Sequence, residues 1–318
     1  MFASLLNYRI LSLPVGAAAL SLVLTLSMAA GPAAAAEPKQ KSFNSPDEAV
    51  TALVEAAKSG DMKALGAVLG PEVKKLGSGD LAQSKREREQ FVAAYEAKHE
   101  VVKDGDARAT LVVGKNDWPL PIPLVKAGDA WHFDTAAGRE EILNRRIGQN
   151  ELNTIQVLLA IVDAEREYAT VDRNGDGLVE YAQKFTSSKG KKDGLYWPAK
   201  EGEPASPLGD LAAKAVREGY SGKSDKPKPY WGYYYRILKG QGKDAPGGAY
   251  DYVVRGGMFG GFAVIAYPAN YGASGVMSFL VNHDGVVYQK DLGTATAQAA
   301  TKLTKFNPDS TWQKVAKD

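Results

Sequence analysis

Asp172, Asn174, Asp176 and Glu180 fall within one short segment, Asp172-Arg173-Asn174-Gly175-Asp176-Gly177-Leu178-Val179-Glu180. Oxygen-bearing side chains at its first, third and fifth positions can wrap a hard cation. The glycine at the sixth allows the sharp turn that such wrapping needs. This is the opening of an EF-hand calcium loop, with Asp172, Asn174, Asp176, the Leu178 carbonyl and Glu180 as ligands, Glu180 often through a water. The twelfth position is Gln183 instead of a bidentate glutamate, so a weak site or a different geometry is expected. The competing reading is a polar turn that ends the preceding helix, because Asp, Asn and Gly favour turns locally.

Other chemistry is thinly represented. The three histidines, His99, His132 and His283, show no His-x-x-x-His spacing, which leaves a zinc hydrolase unsupported. Glu96 and His99 make one Glu-x-x-His step, whereas a di-metal bundle needs two. No Gly-x-Ser-x-Gly elbow occurs. His132 and Asp134, two apart at the end of an expected strand, are the remaining candidate acid/base pair. The run Tyr230-Trp231-Gly232-Tyr233-Tyr234-Tyr235, with Tyr196-Trp197 and Tyr250-Asp251-Tyr252, offers flat faces for a glycan or polymer. Core filling is the stronger reading of aromatics in strand-like runs. Glycines 256, 257, 260 and 261 lack the Lys-Ser/Thr pair of a phosphate loop and read as tight turns.

Composition narrows the classes further. Thirty-nine basic residues against 37 acidic ones give a formal charge of +2, so no basic excess drives nucleic-acid binding. Cysteine is absent, which removes disulfides, thiol nucleophiles, thiolate metal sites and a lipidated cysteine anchor. Arg9 is the sole charge before Glu37, Leu11 to Met28 form an apolar segment, and small residues run to Ala36. That order reads as a signal peptide over 1–36, cleaved near Ala36, and implies a periplasmic or secreted product. No later stretch reaches the ~18 apolar residues of a spanning helix, so no membrane span is expected in the mature chain.

These residues must be positioned by a mixed set of elements. After a flexible leader, 37–43, Ser45-Pro46-Asp47-Glu48 reads as a capping box in which Glu48 reaches back to the Ser45 N–H. Val50, Leu53, Val54 and Ala57 follow at helical spacing, with Gly60 as the C-terminal cap. Asp61 opens a second helix, and 84–100 reads as a third. Strands are expected over 109–113, 120–125 and 130–134. A helical stretch from 139 to 169 follows, with a break and domain boundary expected near Gly148. Beyond the Asp172 loop come a short helix to Glu218 and strands over 230–238, 250–255, 261–268, 276–282 and 286–289. The fold class is α+β, in two domains over 44–138 and 139–318.

Three resemblances follow from particular residues. Ser45 to Val50, Ala56 to Asp61 and Trp131-His132-Phe133-Asp134 resemble the cystatin-like roll of the nuclear-transport-factor-two-like superfamily. That superfamily includes enzymes as well as binding and dimerisation modules. Asn150 to Ile155 and Ala266 to Val286 resemble type IV pilin and pseudopilin heads, a long helix on an antiparallel meander. A pilin carries its polymerising helix at the mature N-terminus, which 44–138 occupies here. Asp176 to Ala182, Gly194 to Pro198, Gly232 to Arg236, Gly256 to Ala263 and Tyr288 to Gly293 are similar to an exported bacterial family, domain of unknown function 2950.

The expected function is therefore a non-enzymatic exported module that binds an envelope protein or polymer, with calcium as the cofactor of the Asp172 loop. An enzyme of hydrolase or isomerase type using a pocket near His132 is the alternative. A role accessory to pilus or secretion machinery is the second.

Overall fold

The computed structural model describes residues 40–200, 202–220 and 228–316. The segment 1–36, expected to be a signal peptide, and the leader up to residue 39 lie outside them. The described residues belong to one compact α+β unit with two hydrophobic cores.

Helix α1 (Pro46–Ser59) starts where Ser45 Oγ accepts the Glu48 N–H at 3.1 Å, and ends at Gly60 with φ +67°. Glu48 does turn back, but its carboxylate accepts the N–H of Asn44 at 2.9 Å rather than that of Ser45. Asp61 caps α2 (Met62–Leu69) by accepting the Lys63 N–H, and a 3-10 turn (Pro71–Leu76) leads to α3 (Leu81–Ala97). Five antiparallel strands follow, β1 (His99–Asp104), β2 (Arg108–Val113), β3 (Trp118–Pro119), β4 (Leu124–Ala127) and β5 (Ala130–Phe133). Their order is β1-β2-β4-β5, with β3 also on β2. Ala109, Leu111 and Val113 alternate inward on β2, and Trp131 and Phe133 on β5. They meet Val50, Leu53 and Val54 of α1 and Leu65 and Val68 of α2.

Three expectations change here. The helix expected over 84–100 ends at Ala97, and His99 begins a strand in register with Val113. Strand β1 is exposed at nearly every position, so it lacks the apolar alternation that marks a half-buried strand. The described part of the leader is pinned rather than flexible. Lys41 donates to the Ala67 carbonyl, Phe43 pairs with Trp131, and the Gln40 amide donates to the Val68 and Phe133 carbonyls.

The third change is at Gly148. Helix α4 (Thr135–Tyr168) runs through it unbroken, so the expected break is absent. Gly148 is exposed and no atom lies within 4 Å of where its Cβ would be. A mid-helix glycine costs roughly 1 kcal/mol, and packing at both ends outweighs that. Ile142 packs on the first core, whereas Leu158, Ile161 and Val162 are buried in the second.

The second core is built on the antiparallel sheet β14-β13-β12-β11-β6. Its members are β6 (Tyr233–Leu238), β11 (Ala263–Pro268), β12 (Met277–Asn282), β13 (Val287–Asp291) and β14 (Gln313–Lys314). Two short ladders flank it, β7 (Gly240–Gln241) with β8 (Tyr250–Asp251), and β9 (Val253–Val254) with β10 (Gly257–Met258). Helix α4 lies against β11 and β12, and α6 (Thr296–Lys302) against β11. Arg236 on β6 donates to the Ala300 and Leu303 carbonyls, closing the α6 C-terminus. Helix α5 (Gly209–Arg217) precedes the sheet. No helix among the described residues is long and apolar enough to cross a membrane.

Candidate functional site

The Asp172 loop leaves the C-terminal end of α4 and is held by its own side chains. Asp172 Oδ1 accepts the N–H groups of Asn174 and Gly175 at 3.2 and 2.7 Å, and Oδ2 accepts that of Gly177 at 2.8 Å. The Gly177 and Gly175 donors hold the Asp172 carboxyl below its usual range. Gly175 and Gly177 take φ +78° and +87°, values that side chains resist. The Asn174 amide donates to Asp176 Oδ2 at 3.0 Å and to Glu180 Oε1 at 3.2 Å. Glu180 Oε2 accepts the Met258 N–H at 3.1 Å.

The structure thus joins Asn174, Asp176 and Glu180 directly, with Asp172 serving as the organiser of the loop backbone. Leu178 is exposed, and its N–H donates to Asp176 Oδ1 at 2.9 Å. Among the described residues, no group of three or more His, Asp or Glu side chains is gathered as a metal ion would require. An amide NH2 lies between the Asp176 and Glu180 carboxylates in this conformation. Gln183, at the twelfth position, is turned away: its amide donates to the Gly256 carbonyl at 2.7 Å.

Glu180 also forms one wall of a half-open pocket of about 300 Å³. Tyr168, Tyr181, Gln183, Lys184, Asp193 and Lys239 complete its lining. Lys184 and Asp193 are paired at 2.7 Å, and Ser188 donates to Asp193 from both its N–H and its hydroxyl. The Lys184 ammonium, followed by Ser188, brings the Asp193 carboxyl down to about 2. Tyr168 donates its hydroxyl to the Lys192 carbonyl at 2.8 Å. Burial, and then the nearby Glu180 carboxylate, push its phenol up to about 12. Lys239 donates to Gln183 Oε1 at 2.9 Å.

Behind this pocket lies Glu165, a fully buried carboxyl on the last turns of α4. Its Oε2 accepts the Ala182 N–H at 2.8 Å, and its Oε1 has no partner. Burial pushes the group up to about 8, against the smaller pull of the Ala182 donor. Its charge was visible in the sequence, but nothing local marked it as interior.

A second polar cluster joins the two cores. Asp80, the cap of α3, accepts the Gln83 N–H at 2.9 Å on one oxygen. Its other oxygen accepts the Tyr220 hydroxyl at 2.7 Å and the Gly232 N–H at 3.1 Å. Trp231 and Gly232 are the central residues of a tight hairpin turn with φ +51° and +73°, which is strained for tryptophan. Arg86 lies over the Tyr220 and Trp231 rings, 5.0 and 4.7 Å from their centroids. Gln83 and Asn150 exchange amide hydrogen bonds, and Asn150 donates on to the Ser274 carbonyl. A Cβ on Gly232 would come within 2.6 Å of the Asn150 amide, so glycine is required there.

The remaining sequence candidates do not assemble. His132 points to the opposite face of β5 from Trp131 and Phe133, and Asp134 is the cap of α4, accepting the Ala137 N–H at 3.0 Å. His99 stacks on Tyr95. His283 lies edge-on to Tyr252 and Phe262. Of the aromatic run, Tyr233, Tyr252 and Trp197 are buried in the second core.

The chain belongs to the family described as protein of unknown function DUF2950, which covers residues 40–315. No curated protein and no solved structure matches the chain.

Proposed function

We propose that this is an exported, non-enzymatic binding module whose responsive element is the 172–180 loop, with calcium as its cation. The observation that carries the reading is the direct meeting of Asn174, Asp176 and Glu180 under a backbone already turned by Asp172. A carboxylate oxygen has two lone pairs, so Asp172 can keep its loop donors and still face a cation. Rotating the Asn174 amide would exchange its NH2 for its oxygen between the two carboxylates. The cation then takes over the bridging that the amide performs now. Export is supported by the charged, apolar and small-residue order of 1–36, and the module is expected to meet an envelope protein or polymer there.

A weak site of this kind falls in the range of extracellular modules, with Kd on the order of 1 mM. At ~10 mM calcium it would stabilise the fold by about 1.4 kcal/mol and raise Tm by about 2–3 °C. Magnesium should do less, because it demands a tighter octahedral shell. Asp172→Ala with Asp176→Ala should abolish the calcium shift. Identical melting curves of the wild-type protein in calcium and in chelator would reduce the loop to a turn.

A further inference from the structure

The pocket beside the loop has an uneven distribution of charge. Its two cations and two anions do not neutralise each other symmetrically. Lys184 and Asp193 form a closed pair that also satisfies Ser188. Lys239 and Glu180 are different. The Lys239 ammonium has the neutral Gln183 amide oxygen as its partner, and Glu180 has the Asn174 amide and the Met258 N–H. Among the described residues neither charge belongs to an ion pair. The pocket therefore carries one open positive pole and one open negative pole, with Gln183 bonded to the first.

We propose that the pocket lined by Tyr168, Glu180, Gln183 and Lys239 binds a zwitterion of amino-acid size, its carboxylate on Lys239 and its ammonium on Glu180. The volume, about 300 Å³, lies at the small end of ligand sites and suits a compact molecule. Each pole already makes a charge-assisted bond to a neutral amide, and exchanging that amide for an ion of opposite sign adds direct Coulomb attraction. Selectivity comes from the opposite pole. A simple carboxylate would bring its charge towards Glu180, and a simple amine would bring its charge towards Lys239. A neutral polyol would take water from both poles and return no charge to either. Tyr168, buried in the second core with its hydroxyl committed to the Lys192 carbonyl and Arg173 over its ring, contributes a fixed wall.

This site stands apart from the calcium reading, although Glu180 is common to both, and calcium on Glu180 would compete with the ligand ammonium. The test is calorimetric titration of the mature chain in chelator with glycine, L-alanine and L-glutamine. Acetate and methylammonium serve as the two half-ligands. At least one zwitterion should bind with a Kd of about 1 mM or tighter, and each half-ligand at least about tenfold more weakly, the ~1.4 kcal/mol expected for one lost charged contact. Lys239→Met and Glu180→Gln should each weaken zwitterion binding by about tenfold or more. No heat with any of the three amino acids would overturn the proposal. Acetate binding as tightly as alanine, or unchanged affinity in both variants, would overturn it equally. Because chelator is present, each of these results leaves the calcium-dependent melting shift to be judged separately.

Discussion

Two polar clusters of this molecule use the same residue types to opposite ends. At the seam between the cores, Asp80 meets three donors, Gln83 and Asn150 satisfy each other, and Arg86 is stacked between two rings. None of the buried side-chain atoms of Asp80, Gln83 or Asn150 is left without a partner. At the pocket, Lys239 and Glu180 remain half-buried or exposed and bonded only to neutral groups. A closed network fixes geometry, because every partner lost leaves a desolvated group behind. An open one costs the fold little and leaves charge available for a ligand. The difference lies in what each charge faces, and mutation should separate the two.

The largest effect is expected at the seam. Asp80→Ala strips the acceptor from the Gln83 and Gly232 N–H groups and the Tyr220 hydroxyl at once. An unsatisfied buried donor costs roughly 1–3 kcal/mol, and water reaching part of the gap recovers some of it, so about 3–4 kcal/mol of destabilisation is expected. Urea unfolding of wild type and variant measures it. A loss under ~1 kcal/mol would mean that the seam is as replaceable as a surface pair.

Glu165 sharpens the contrast, since it is a buried carboxyl with a partner on one oxygen and none on the other. Its folded pKa of about 8 lies above the unfolded value of ~4.3. Between those values the folded state holds a proton that the unfolded state has released. Stability contributed by the protonated group is complete below ~pH 4.3, falls as pH rises, and is exhausted near pH 8. The slope approaches about 1.4 kcal/mol per pH unit at its steepest. Glu165→Gln should remove this slope from the variant's own curve, so that its difference from wild type changes steadily across that window, read as denaturant midpoints from pH 5 to 9. Parallel curves would place the glutamate in water.

What the sequence could reveal follows from how far apart the interacting residues are. The Ser45 cap, the Gly60 stop and the Asp172 turn are contacts over a few positions, and spacing alone announces them. The internal faces of β2 and β5 were legible because alternation survives in Ala109, Leu111, Val113 and in Trp131, Phe133. Strand β1 was not, because its exposed residues carry no such period. Continuity through Gly148 was hidden for a related reason: the local cost of glycine is written in the sequence, while the packing that overrides it comes from two separate cores. The seam was illegible altogether. Asp80 reaches Tyr220 and Gly232 across 140 and 152 residues, and no short motif can encode such a meeting. In the pocket, Glu180 could be singled out for its place in the loop, whereas Lys239 is one lysine among many until the fold brings it to Gln183.

The smallest effect should come from Lys239→Met, and its smallness is informative. The ammonium is exposed and its one hydrogen bond is to a surface amide. Such a contact contributes little once solvent screening and side-chain entropy are set against it. The aliphatic stem of lysine is matched in length by methionine, so the packing it provides is largely kept. Unfolding free energy should therefore shift by less than about 0.5 kcal/mol, within the ordinary spread for surface substitutions. Denaturant unfolding of the variant beside Asp80→Ala sets the two clusters on one scale. A destabilisation above ~1 kcal/mol would show that Lys239 supports the β6–β7 turn, and the pocket would then be an architectural feature like the seam. An unchanged midpoint, together with lost zwitterion binding, would assign the open pole to the ligand instead of the fold.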